Sequence, residues 1–213
     1  MGYQYDGKFL MKKVILQKQN LTPHFIGAWT MEPLSICDEL IDYFETNKNL
    51  QKKGETGDGN NLNTKDSTDI KFKPQNIKLP GNEVFEKYFQ NLFYCYQDYV
   101  TEWPFLETFI EKLQIGSFNL QRYQRGQHFK KLHTERSSLD SLHRIFAWMT
   151  YLNDVKEADG GSTFFCHYDL EVQPKKGLTL IWPAEWTHAH KGNVLKFGNK
   201  YIITGWMNFS DNR

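Results

Sequence analysis

From residue 117 onward the chain falls into eight short runs with the character of β-strands, and this constrains its fold more than any other feature. The runs are 117–124, 129–135, 144–152, 163–168, 170–173, 177–182, 187–191 and 199–208. Turn signals separate them, notably Asp159-Gly160-Gly161 and Pro174-Lys175-Lys176-Gly177. Eight short strands that close around a cavity predict a double-stranded β-helix, or jelly roll.

The upstream half reads differently. Residues 1–32 look extended, with Val14, Leu16 and Phe25-Ile26 as apolar positions. Ile36, Leu40, Ile41 and Phe44 fall at helical spacing and predict a helix over about 35–47, capped by Thr30 or Ser35. A second helix is expected over 82–101, where Val84, Phe85, Tyr88, Phe89, Leu92, Tyr96, Tyr99 and Val100 make a broad apolar stripe. Pro104 interrupts, and a shorter helix follows over 105–113. Helices first and strands afterwards predict an α+β chain whose helices back one sheet. At 213 residues a single domain, 1–213, is expected, with helices and loop over about 30–115 and the jelly-roll core over about 117–208.

Residues 48–81 are rich in Asn, Lys, Gly, Asp and Thr. They read as a long polar loop with a short extended piece near Ile70–Phe72. Such a loop is either a mobile surface feature or a lid.

The net charge of +1 gives no basic or acidic surplus for nucleic acid or a membrane surface. No apolar run has signal-peptide or membrane-spanning length. Cys37, Cys95 and Cys166 are too few and too scattered for a disulfide scaffold, and read as thiols of a reducing compartment. A cytoplasmic protein is expected. Aromatic content, at 15%, suits both a β-rich core and an aromatic-lined groove.

The chemistry-bearing residues lie within the β half. His133 and Glu135 are two apart, so on a strand an imidazole and a carboxylate aim at one point. His188 and His190 occur later and by the same parity share a strand face; spacing alone does not choose between them. Two His and one carboxylate make a facial triad for a non-haem iron. Lys200, Thr204 and Trp206 share one face of the last strand. A lysine buried there requires an anionic partner.

Taken in order, Tyr123, Gly126, His133, Glu135, His190, Gly192 and Lys200, with Tyr-Leu-Asn at 151–153 and Gly-Gly-Ser-Thr-Phe-Phe at 160–165, resemble the prolyl 4-hydroxylase branch of the Fe(II)/2-oxoglutarate-dependent dioxygenases. The resemblance covers about residues 117–207. Glu135 departs from it, since Asp is usual at that place. The resemblance implies Fe(II) held by His133, Glu135 and His190, with His188 as a neighbour. It implies 2-oxoglutarate held by Lys200, Tyr123, Thr204 and Tyr151, and O2 as oxidant with ascorbate as a reductant. It further implies hydroxylation of proline in a peptide or protein, with release of succinate and CO2. Arg144, Trp206 and Trp148 are the expected substrate contacts, joined by Trp186, Tyr168 and the 48–81 loop as a cover. Alternatives are a 2-oxoglutarate dioxygenase with a non-prolyl substrate, or a non-catalytic jelly-roll binding module. Nucleic-acid demethylation is disfavoured, because Trp206 stands where that branch has an arginine.

Overall fold

The structure is a computed structural model, and it describes residues 12–14, 23–57, 59 and 61–210. The strand expected at Leu16 lies outside the described residues. Twelve strands form two sheets among the described residues. The larger sheet runs β1 (Lys12–Lys13), β2 (Gly27–Thr30), β10 (Leu178–Pro183), β7 (Arg144–Tyr151), β12 (Asn199–Phe209), β5 (Leu113–Gln124), β4 (Thr68–Phe72) and β3 (Lys52–Lys53). The smaller runs β6 (Phe129–His133), β11 (His190–Gly192), β8 (Thr163–Phe165) and β9 (Leu170–Val172). All pairings in both sheets are antiparallel. The result is the jelly roll expected from the strand pattern.

Alternation along two central strands separates two cores. On β7, Phe146 and Trp148 face the helices, while Ala147, Met149 and Tyr151 face the cavity between the sheets. On β12, Tyr201, Ile203 and Met207 join the helix-side core. Ile202 and Trp206 join the cavity-side cluster, and Lys200 shares their parity. Gly205 sits at the tightest crossing: a Cβ there would come within 2.7 Å of the Trp148 ring and 2.8 Å of the Phe118 Cβ. Only glycine lets those two rings close over the strand.

Three helices cover the outer face of the large sheet. Helix α1 spans Ser35–Thr46 and buries Ile36, Cys37, Leu40 and Phe44. No side chain caps it: Leu34 occupies the cap position, so neither Thr30 nor Ser35 has the expected role. Helix α2 spans Glu83–Glu102 and buries Phe85, Tyr88, Leu92, Cys95 and Tyr99. Burying one such large apolar side chain stabilises by roughly 1.5–3 kcal/mol. Helix α3 is shorter than expected, Phe105–Phe109.

The 48–81 stretch is more ordered than its composition implies. It contains β3, β4 and two short 3-10 turns, Lys48–Leu50 and Pro74–Lys78. β4 extends the large sheet by pairing with β5. Between β3 and β4 the chain reaches across to the smaller sheet, where Asp66 bridges His128 just before β6. Lys65 and Asp69 are both buried here, 2.6 Å apart. Ser67 donates to Asp69 at 2.8 Å and Gln121 at 3.1 Å, so the carboxylate is fully engaged. The segment is the edge of the fold, built around a buried ion pair, and in this structure it is not a detached lid.

Candidate active site

His133 ends β6 and His190 begins β11, and the two are register partners. Their ring centroids are 4.4 Å apart. Glu135 lies two residues beyond the end of β6, in a bend, so the shared strand face expected for His133 and Glu135 is not what unites them. The bend brings Glu135 Oε1 to 3.3 Å from His190 Nε2 and 3.9 Å from His133 Nε2. One ligand atom from each residue lies within 4.8 Å of the others.

Each imidazole is fixed by its other nitrogen. His133 Nδ1 faces the Lys131 carbonyl at 2.8 Å, and His190 Nδ1 faces the His188 carbonyl at 2.9 Å. A proton on Nδ1 satisfies both carbonyls and leaves both Nε2 lone pairs aimed at the common point. Aromatic rings enclose them: Phe129 stacks on His133 at 3.8 Å, and Trp182 and Phe165 flank His190.

The charges also suit a divalent cation. Burial depresses the His133 imidazole to about 4, with His190 adding to the effect, so it is neutral at physiological pH. The 3.9 Å contact with Glu135 is then no ion pair. Burial opposes ionisation of Glu135, but the adjoining His190 and His133 side chains and a bond from Trp206 outweigh it and hold the carboxyl down to about 2. Two imidazoles and one carboxylate are a donor set that fits Fe(II).

His188 does not compete with His190. Residues 186–188 form a 3-10 turn and not a strand, so the two histidines do not share a strand face as the spacing predicted. His188 is buried, with Nε2 2.8 Å from the His24 carbonyl and Nδ1 3.0 Å from the Thr187 hydroxyl. Its backbone carbonyl orients His190.

Lys200 is buried on the cavity side of β12, directly across from Tyr123 of β5. Its ammonium lies 4.5 Å over the Tyr123 ring and donates to the Gly161 carbonyl at 2.7 Å. No carboxylate pairs with it among the described residues, and burial pushes the amine down to about 7. Tyr151 is also buried and donates to Thr163 at 2.6 Å, and Tyr123 donates to Gln121 at 2.9 Å. The Thr204 hydroxyl donates to the Trp148 carbonyl at 2.8 Å.

Of the residues expected to contact substrate, two lie at the metal-ligand cluster and one does not. Arg144 donates to the Glu135 backbone carbonyl at 2.7 Å and lies 3.7 Å over the Trp206 ring. Trp206 donates from its indole to Glu135 Oε2 at 2.7 Å. Trp148 is fully buried on the helix side of the sheet, packed on Tyr88 and Phe89, and its parity removes it from any substrate site. Trp186 is 67% exposed and sits edge-on to His167. Tyr168 packs on His188 and His24. Sequence reading missed Lys65 and Asp69; their i, i+4 spacing was visible, but it also suits two solvated side chains.

The family model "2OG-Fe(II) oxygenase superfamily" matches residues 118–208. No curated protein sequence matches the chain. Among solved structures, the collagen prolyl hydroxylase of Paramecium Bursaria Chlorella virus-1, in its 2OG complex, aligns with a TM-score of 0.61 at 20% identity, over 97% of this chain and 98% of its own. A Pseudomonas putida prolyl-4-hydroxylase aligns with a TM-score of 0.66 at 14% identity, over 88% and 94%. A Trichoplax adhaerens prolyl hydroxylase, in complex with a hypoxia inducible factor peptide fragment, gives 0.67 at 12%, over 87% and 84%. Residues 118–208 thus match the 2-oxoglutarate/Fe(II) oxygenase superfamily, and the chain shares the fold of these solved prolyl hydroxylases. Among the described residues no helix is long and apolar enough to cross a membrane.

Proposed function

We propose that this chain hydroxylates proline within a peptide or protein, using Fe(II), 2-oxoglutarate and O2. The observation that carries the reading is the placing of three ligand atoms within 4.8 Å, with a buried lysine lacking a carboxylate partner on the same cavity. His133, Glu135 and His190 would hold the iron, and Lys200 would hold the far carboxylate of the keto acid. When bound, the iron and keto acid supply the oxidising chemistry, in which O2 is consumed, the keto acid becomes succinate and CO2, and one oxygen atom enters a substrate C–H bond.

The protein's own part is positional. The Lys131 and His188 carbonyls fix the two imidazoles. Lys200 gives a single charged anchor in a dry pocket, where charge-assisted bonds are strong. Aromatic rings packed on His133 and His190 restrict the swing of both imidazoles. Arg144 and Trp206 stand at the same centre, and exposed Trp186 offers a flat face for an extended proline-rich segment. The free thiols Cys37 and Cys166 suit a reducing compartment, so a cytoplasmic setting is part of the reading.

The test has two stages. Anaerobic addition of Fe(II) and 2-oxoglutarate should give the weak visible charge-transfer band of a chelated keto acid. Proline-rich peptides should then gain the mass of one oxygen atom on proline, in step with succinate and with ascorbate as optional reductant. Succinate formation with modification only on non-prolyl substrates would overturn the substrate class and leave the oxygenase reading standing.

A further inference from the structure

Glu135 is one methylene longer than the aspartate usual at this place, and it lies past the end of β6 in a bend. A longer, less constrained carboxylate can rotate out of reach or offer both oxygens to a metal. Two contacts prevent this. The Trp206 indole donates to Oε2 at 2.7 Å, and Arg144 holds the Glu135 backbone carbonyl at 2.7 Å. The two holding residues are themselves locked, with the guanidinium 3.7 Å over the indole ring. The register of β12 against β5 shifts between Gly205 and Met207, at Trp206 itself. Such an irregularity re-aims a side chain.

We infer that Trp206 is a positioning residue for the metal centre: with Arg144 behind it, its indole N–H occupies Glu135 Oε2 and leaves Oε1 as the single oxygen facing His133 and His190. The inference rests on the metal reading above and adds a role that a substrate contact does not need. Shortening Glu135 to Asp withdraws the carboxylate by about 1.5 Å, one carbon–carbon bond. The indole bond then falls outside hydrogen-bonding range. The role of Trp206 is therefore coupled to the length of the residue at position 135.

The test is a double-mutant cycle read by Mn(II) affinity, measured by electron paramagnetic resonance titration in the absence of substrate. Trp206→Phe alone should weaken Mn(II) binding roughly 10–100-fold, the usual cost of removing a bond that orients a ligand. The same change in a Glu135→Asp background should cost less than about threefold, since no bond remains to lose. Where Trp206→Phe fails to fold, Arg144→Lys carries the test. It keeps the charge and loses the flat stack, and it should weaken Mn(II) binding more with Glu at 135 than with Asp, because only the bond to the backbone carbonyl is shared by the two backgrounds. Equal losses in both backgrounds, or no loss in either, would overturn the brace while leaving the metal centre intact. A natural chain whose Mn(II) affinity is indifferent to His133→Ala overturns the metal reading and the brace together.

Discussion

His190 lies directly across the small sheet from His133, and the pairing of β11 with β6 sets the distance between two side chains far apart in sequence. Glu135 then closes the group from the bend after β6. Replacing any one of the three with Ala should therefore lower divalent-metal affinity by more than the roughly 10–100-fold seen when only a supporting bond is lost. His188→Ala should behave differently. It removes buried hydrogen bonds and should cost about 1–3 kcal/mol of stability, while metal affinity changes by less than about tenfold. Metal titration and denaturation on the four variants check this; metal binding lost with His188 but kept without His190 would reverse the assignment.

Acid should unfold the metal-free protein in a defined window. The folded His133 imidazole is held at about 4, below its ordinary 6.5, so the unfolded chain binds more protons between these values. Stability from this group is complete above pH 6.5 and is lost as pH falls toward 4. Glu135, held at about 2 against 4.5, adds stability that is present above 4.5 and lost toward 2. Melting temperature against pH, compared between the natural chain and His133→Gln, should show a steeper upper slope in the natural chain, while His188, also held at about 4 by burial, keeps part of that slope in both. Parallel curves would count against a neutral buried imidazole.

Most of the site was legible because strand parity and residue chemistry pointed the same way. Lys200 and Trp206 alternate correctly to face the cavity, and the His and Glu residues are few enough to combine. Reading failed where the backbone leaves regular structure. The bend after His133 and the 3-10 turn at Trp186–His188 replaced expected strands, and no period-two argument describes them. Trp148 was misassigned although its own parity was available, since Ala147 and Met149 flank it on the cavity side. Residues 48–81 misled by composition: a buried Lys65–Asp69 pair is made of residues that usually signal solvent.

The outward placement of Trp148 makes a clear prediction. Its indole N–H has no hydrogen-bond partner in the helix-side core. Trp148→Phe should cost little, under about 1.5 kcal/mol, since an unpaired polar group leaves with the lost volume. Trp148→Ala should cost roughly 3–5 kcal/mol. Neither should alter peptide KM, and a selective rise in peptide KM would return Trp148 to the substrate site.

Lys65 and Asp69 offer a second stability test. Lys65→Met leaves a buried carboxylate without its cation and should cost roughly 3–5 kcal/mol. Replacing both, Lys65→Met with Asp69→Leu, should cost less than the single change, because no uncompensated charge stays behind. Urea denaturation distinguishes the outcomes; a double variant worse than Lys65→Met by the full cost of a second lesion means that the pair is not the source of the loss.

Lys200 gives the sharpest pH dependence. Burial alone holds its amine at about 7 against 10.5. The unfolded chain therefore binds more protons between about 7 and 10.5, and without co-substrate the lysine's contribution to stability improves as pH rises through that window. The penalty is complete below pH 7, where both states carry the charge. A dicarboxylate reverses this preference, because it binds the ammonium form. Above pH 7 the free lysine must take up a proton to bind it. The Kd for 2-oxoglutarate should rise by at least about tenfold, one decade or 1.4 kcal/mol, between pH 7 and pH 9. Lys200→Arg should flatten that rise, since a guanidinium stays charged throughout. Lys200→Ala should weaken binding by roughly two to four decades, from the 3–5 kcal/mol cost of stripping one partner from a buried charged pair, and should leave Mn(II) affinity unchanged. A co-substrate Kd that is flat across pH 7–9 and indifferent to Lys200→Ala would move the anchor elsewhere in the cavity.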